Sequence, residues 1–196
     1  MAIRATDASP VVKEIPFSPV SAKSTPSRDM YVYLAELKRL GFVGVHNFPT
    51  DGIIDGQFRQ RLEETNMGYS REVETIQIAH WYGLLTTPYV SSANDAIQMA
   101  KAGADIIVAH AGLKDLVQTK RSLVGRWKTV LNLRDAACSV NPKILVLSHG
   151  GPIVRPADAQ YVLSRTKRVH GFFGESSMER LPMETAIQEN AAELSG

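Results

Sequence analysis

Five histidines and a few well-placed carboxylates are the residues of this chain that suit acid/base chemistry. Two of the histidines stand out by position. His110 closes the apolar run Asp105-Ile-Ile-Val-Ala-His110, and His149 closes Ile144-Leu-Val-Leu-Ser-His149. Imidazole titrates near neutral pH, so a histidine at the end of a buried strand is a natural proton donor or acceptor. Glu72 and Asp55 are the auxiliary carboxylates. A second set suits an anion. Gly150, Gly151, Gly174, Ser176 and Ser177 offer backbone amides and hydroxyls, and Arg180 follows within one helical turn of Ser177. Glycines let a backbone approach a ligand closely, and helix N-termini carry partial positive charge. Asn47 and Tyr89 end two earlier apolar runs and add polar binding groups. Together these residues point to a small-molecule ligand bearing phosphate or carboxylate. Its chemistry would be carried by His110 or His149.

Each residue also has a plainer reading. A polar residue at a strand end can simply terminate the strand or cap the next helix. Arg180 can pair with Glu179 or Glu184. His46 directly precedes Asn47, and alternation along a strand sends only one of that pair to the inner side of a sheet. His80 falls on a helix before Trp81 and His170 near a strand start, so both read as structural. A metal site built from His110 and His149 with Glu72 or Asp55 finds no support in local spacing, because neither HxH nor HExxH occurs.

The elements that position these residues alternate. A helix opened by Pro26 carries Met30, Leu34 and Leu37 at helical spacing, and Gly41 ends it. Phe42–Phe48 follows as a strand. A long loop from Pro49 to Gly56 leads to a polar segment and then to a helix bearing Val73, Ile76 and Ala79. Leu84–Val90 is the next strand, and Ser91 or Ser92 caps a helix closed by Gly103. Asp105–His110, Ile144–Ser148 and Val169–Phe173 are further strands. Between them lie a helix marked by Leu123, Trp127, Val130 and Leu131, and one over Pro156–Arg165. A last helix carries Met183, Ala186, Ile187 and Leu194. Short buried strands separated by helices predict a parallel sheet covered by helices. Ile15–Val20 adds a weak sixth strand whose two prolines suit an edge. An eight-stranded barrel and an open doubly wound sheet both produce this pattern. Residues 1–14 read as a flexible tail, and 15–196 as one domain.

Composition sets bounds. The chain has 196 residues, 44% hydrophobic and 21% charged, with a formal net charge of +2. That balance argues against nucleic-acid binding driven by counterion release. The basic run Lys114, Lys120, Arg121, Arg126 and Lys128 reads as a solvated helix face. The single cysteine, Cys138, excludes an internal disulfide and a cysteine zinc cage, and fits a small core position. No apolar run approaches the ~20 residues that cross a bilayer. The amino-terminal stretch lacks the apolar core of a secretory signal. A cytoplasmic protein without membrane contact is the expectation.

The motifs Gly44-Val-His-Asn-Phe-Pro-Thr50, Gly52-Ile-Ile-Asp-Gly56, Leu62-Glu-Glu-Thr-Asn-Met-Gly-Tyr69, Leu85-Thr-Thr-Pro-Tyr89, His149-Gly-Gly-Pro-Ile153 and Gly174-Glu-Ser-Ser-Met-Glu-Arg-Leu-Pro182 are similar to those of the phosphoenolpyruvate hydrolase-like TIM-barrel family. That family also resembles the C-terminal domain of ATP-binding TIM-barrel proteins, including a plant antiviral resistance protein. The resemblance runs from about Val12 to about Glu189. It implies a (β/α)8 TIM-barrel-like α/β fold, incomplete here, with about six parallel strands. The family's barrel has roughly two more β/α units before the point matching Val12. Its usual Gly-Ala-Ser-Ser is Gly174-Glu-Ser-Ser177 in this chain, which sets a carboxylate at Glu175 beside the anion cradle. The resemblance implies an enzyme of the hydrolase or lyase class. With a phosphoenolpyruvate-like substrate it leaves room for a divalent metal such as magnesium. The alternative is a non-catalytic, degenerate barrel that serves as a protein-interaction module. Six strands leave two open sheet edges, which predicts a homo-oligomer or a partner domain over them.

Overall fold

The computed structural model describes residues 28–112, 125–150, 153, 155–174 and 180–195. The weak strand at Ile15–Val20, the helix opening at Pro26, and Leu123 lie outside them. Helix α1, Met30–Arg39, is capped by Asp29, whose Oδ1 accepts from the amides of Tyr31 and Val32 at 2.9 and 3.2 Å. It buries Leu34 and Leu37, and Gly41 turns the chain at φ +88°. Strand β1 is Gly44–Val45. A 3-10 turn at Asp51–Ile53 leads to helix α2, Gly56–Glu64, which buries none of its residues. Helix α3, Tyr69–Trp81, turns Tyr69, Glu72, Ile76 and Ala79 inward. That is the spacing of one helix face.

Strands β2, Leu85–Thr86, and β3, Tyr89–Val90, are two halves of one extended segment. Between them Thr87 still donates to the Val45 carbonyl at 3.0 Å, and Pro88 accepts from Val108 at 2.9 Å. Pro88 has no N–H to give, and the ladder is interrupted there. Ser92 and Asp95 form a reciprocal capping box on helix α4, Ala93–Lys101. Strand β4 is Ile106–His110, helix α5 Arg126–Val140, strand β5 Leu145–His149, helix α6 Pro156–Leu163, strand β6 Gly171–Phe172, and helix α7 Arg180–Ser195.

All strand pairings are parallel. β1 pairs with β2, and the second sheet runs β3-β4-β5-β6. Because β2 and β3 share one segment, the strands form one array in chain order. A doubly wound sheet reverses its strand order at a switch point, whereas a β/α barrel does not. The order therefore selects the barrel type, left open by sequence pattern alone. Curvature agrees. Flat strands about 4.8 Å apart would put the third neighbour about 14 Å away. Yet the Tyr89 ring on β3 lies 5.7 Å from that of Phe173, which follows β6. The array is curled, and its concave face gathers these rings.

On the convex side Ile76, Met99, Ile107, Leu133, Val146 and Val162 form the helix-covered core, each at 1% exposure or less. Among the described residues the barrel does not close. On the concave side Leu85 and Leu145 remain 39% and 44% exposed. Helix α7 is uncovered too, with Met183 at 66% and Ile187 at 64%. Cys138 packs partly buried against the core. No described helix is long and apolar enough to cross a membrane.

Candidate active site at the carboxyl rim

Strand ends bring the site together. His110 and His149 are paired partners in the β4–β5 register, so their side chains project from neighbouring strand ends to the same side. Their ring centroids lie 5.3 Å apart. The Tyr89 ring stands edge-on to that of His149 at 5.0 Å. It also touches His46 at 5.7 Å and Phe48 at 5.3 Å. Tyr89 is thus the hub of an aromatic cluster that includes three imidazoles.

Backbone groups hold each of these imidazoles at Nδ1. His46 Nδ1 accepts from the amide of Phe48 at 3.0 Å, and His110 Nδ1 accepts from the amide of Gly112 at 3.2 Å. His149 Nδ1 lies 2.8 Å from the Phe173 carbonyl, to which it donates. Burial lowers the pKa of His46 to about 4. It lowers His110 to about 4 as well, with His149 contributing. Burial also pulls His149 down, and its bond to Phe173 pulls the other way.

The β1 end is built differently. Asn47 turns from the imidazoles to the helix side. Its Nδ2 donates to Glu72 Oε2 at 2.7 Å and to the Tyr89 carbonyl at 3.1 Å, and its Oδ1 accepts from the Tyr89 amide at 2.7 Å. The side chain thereby continues the β1 ladder where the main chain leaves it. Glu72, 1% exposed, also accepts from Thr50 Oγ1 at 2.7 Å and from the Asp51 amide at 2.6 Å. Burial raises its pKa to about 7 against the pull of these donors.

A cleft of about 870 Å³ opens beside the cluster. His110, Gly112, Asp55, Arg59 and Ser92 are among its lining residues. Asp55 sits there exposed, at the N-cap of α2, with no side-chain capping bond. Arg59 reaches back from α2, donating to the Asp51 carbonyl at 2.7 Å and stacking over Tyr69 at 4.9 Å. Arg126, in the basic run read as a solvated face, lies beside the site. A Cβ on Gly112 would stand 2.7 Å from its guanidinium.

The glycine turns divide. Gly150 has φ +142°, and a Cβ there would meet the Ala111 amide nitrogen at 2.8 Å. Close passage of the β4 end demands glycine at this position. Gly174 is described, next to the Phe173 carbonyl that holds His149. Gly151, Glu175, Ser176, Ser177 and the Arg180 side chain lie outside the described residues. His80 and His170 stand apart from the strand ends. Gly103 packs against the first, and the second accepts from the Val146 amide at 3.1 Å. Among the described residues no group of three or more His, Cys, Asp and Glu could hold a metal ion. Glu72 in particular has its oxygens taken by protein donors, so a ligand set with the two histidines does not fit. Sequence reasoning passed over His46. The signal lay in alternation, which allowed either His46 or Asn47 to face inward.

Concave, sequentially ordered parallel strands with their polar residues at the carboxyl rim define a TIM-barrel-like α/β protein. The chain belongs to the phosphoenolpyruvate hydrolase-like family, whose model matches residues 2–195. It is 51% identical over 187 residues to the ToMV susceptible protein tm-1(GCR26) of Solanum lycopersicum, covering 93% of this chain and 25% of that protein. The ToMV resistance protein Tm-1(GCR237) of the same plant matches equally, at 51% over 187 residues with the same coverage. The chain thus spans about a quarter of the length of these curated relatives. Among solved structures it is similar to phospho-2-dehydro-3-deoxyheptonate aldolase of Thermotoga maritima. The TM-score is 0.45 at 18% identity, over 79% of this chain and 40% of that one.

Proposed function

We propose that the carboxyl rim binds a small phosphorylated or carboxylated metabolite and acts on it by imidazole acid/base chemistry, in a reaction of the hydrolase or lyase class. The observation that carries this reading is the in-register pair His110 and His149, with rings 5.3 Å apart and Nδ1 atoms held by backbone groups of opposite kind. Buried His110 and half-buried His149, in opposite tautomers, give one donor and one acceptor at neutral pH. Tyr89 packs edge-on against His149, Gly150 and Gly174 follow the ends of β5 and β6, and Arg126 brings positive charge to the side of His110. Gly151, Ser176, Ser177 and Arg180 complete the anion cradle in this reading. Isothermal calorimetry with phosphate, phosphoenolpyruvate and pyruvate tests it. Binding in the millimolar range or tighter, lost in His110→Ala, is expected. Absence of heat for all three at millimolar concentration would remove the reading.

A second reading has its own observation. The exposed Met183 and Ile187 on α7, with Leu85 and Leu145 on the concave face, suit a barrel remnant used for interaction. In this reading a second copy or a partner domain covers the open sector. Light scattering on the eluting protein separates the two possibilities. A monomer that unfolds cooperatively counts against this reading.

A further inference from the structure

We infer that the cleft beside His110 takes a hydroxyl-bearing carbon chain, so that the ligand of this site is a sugar phosphate or sugar acid. Its anionic end lies at the rim and its hydroxyls lie in the cleft. The inference rests on the reading of the rim as a site for a small anion, and it names the rest of the ligand.

Size and shape give the first argument. At about 870 Å³ the cleft falls within the ~300–1,000 Å³ of pockets that enclose drug-sized ligands. A phosphate or a three-carbon acid leaves most of that space to water. One wall is the loop from Gly52 to Gly56 with helix α2, and the other is the first part of α4. The walls are tied to each other. Ser91 Oγ donates to the Gly52 carbonyl, and Arg59 of α2 lies 3.8 Å from Asp95 of α4. The cleft is thus a fixed feature of the fold, formed before any ligand arrives.

Charge gives the second. Among the described residues Arg59 is the only lysine or arginine of the lining, and Glu63 at 3.1 Å and Asp95 at 3.8 Å neutralise it. Asp55 adds a negative charge, so these walls repel an anion. Positive charge is found past the end of β4, where Arg126 stands against Gly112. His110 belongs to both rim and cleft. Its Nδ1 accepts from the Gly112 amide, so the proton of its neutral ring is on Nε2.

The side chains with bonding capacity to spare give the third. Among the described residues Asp55, Asn94 and Gln98 line the cleft with no hydrogen bond or ion pair to their side chains. A carboxylate accepts, and each carboxamide both donates and accepts, which matches hydroxyls that do both. Asn94 and Gln98 are four residues apart on α4 and so neighbour each other on one helix face. Partly buried Ile53 and Ile54 offer the C–H side of the chain an apolar wall. A nucleobase finds no platform. Tyr69 is the only Phe, Tyr or Trp of the lining, it is 1% exposed, and Arg59 covers its ring at 4.9 Å.

Isothermal calorimetry of the full chain with inorganic phosphate, n-butyl phosphate and ribose 5-phosphate tests the inference. Butyl phosphate has the chain without the hydroxyls. Ribose 5-phosphate should bind at least about 10-fold more tightly than butyl phosphate, the net worth of two or more hydrogen bonds. In Asn94→Ala/Gln98→Ala that ratio should fall to within about threefold. Alanine suits a helix, and an unchanged affinity for phosphate marks the double variant as folded. Asp55→Ala, on the opposite wall, should weaken ribose 5-phosphate by about 3- to 10-fold and leave butyl phosphate no weaker. Equal affinity of the parent for ribose 5-phosphate and butyl phosphate overturns the cleft's role and leaves the rim reading standing. A ratio that survives whole in the double variant overturns the assignment to these residues. Failure of the parent to bind any of the three overturns both readings.

Discussion

The two ends of the curled sheet use their polar residues in opposite ways. At the end of β1, Asn47, Thr50 and Glu72 satisfy one another and the neighbouring backbone. At the ends of β4 and β5, each histidine has one nitrogen held by a backbone group. A polar group with its bonding capacity spent inside the protein is structural, whatever its residue type suggests. An imidazole held by a backbone group has its tautomer and ring orientation fixed by that bond. Glu72 makes the point best. A buried carboxylate with pKa raised to about 7 has the profile of a general base, yet its three donors make it the bolt of the loop from Asn47 to Asp51.

The largest effect that would break this comparison is on stability. Glu72→Ala removes the acceptor shared by Asn47, Thr50 and the Asp51 amide. Unpaired buried donors cost about 1–3 kcal/mol each, and the cavity adds to that. A loss of about 4 kcal/mol in urea-unfolding free energy is expected. Glu72→Gln keeps the shape and part of the bonding and should lose about half as much. A Glu72→Ala protein as stable as its parent, with its pyruvate binding gone, would move Glu72 into the binding site.

A second test uses pH, where the buried imidazoles and Glu72 pull in opposite directions. His46 and His110 have folded pKa values of about 4, below the ordinary 6.5. They therefore bind protons less readily folded than unfolded. The stability they contribute is complete above about pH 6.5 and is lost as pH falls through about 4, about 3 kcal/mol each. Glu72 is raised from 4.5 to about 7. Its contribution is present below 4.5 and lost as pH rises through 7, by a similar amount. In the parent protein the terms partly offset one another between pH 7 and 4.5. Urea midpoints across that range should therefore fall more steeply on acidification in Glu72→Gln and less steeply in His110→Gln. Identical slopes in all three proteins would show that these groups do not titrate as their burial dictates.

Much of the scaffold is legible in the sequence. Ile106–Ala109 and Leu145–Leu147 are apolar runs too short for helices, and Gly41 and Gly103 stop helices as their positive φ values require. Strand order is not legible, because apolar periodicity reports that a strand is buried and not which strand lies beside it. The site is half legible. His110 and His149 announce themselves as single polar residues ending apolar runs. The choice between His46 and Asn47 is hidden, since β1 has only two laddered residues, Gly44 and Val45, from which to count alternation. The partner that decides it, Glu72, is 25 residues further along the chain. The exposure of α7 is hidden as well. Met183 and Ile187 have helical spacing like that of buried Leu34 and Leu37, and only the surroundings differ.

Tyr89 joins the two ends, and the smallest expected effect sharpens its part. Its carbonyl accepts from Asn47 and from the Tyr69 hydroxyl at 3.0 Å, while its ring packs on His149. Tyr69→Phe removes one of two donors to that carbonyl and leaves no buried acceptor wholly unmet. The ring of Tyr69, 1% exposed, keeps its packing. A loss of about 1 kcal/mol is expected, the net worth of one hydrogen bond. If the Tyr89 backbone is held chiefly by Asn47, the affinity of Tyr69→Phe for pyruvate should stay within about threefold of the parent, since Asn47 alone spans both its amide and its carbonyl. A loss of affinity of about tenfold or more with the same small stability change would mean the hydroxyl fixes the ring against His149. The β1 end would then set the geometry of the imidazoles as well as hold its own loop.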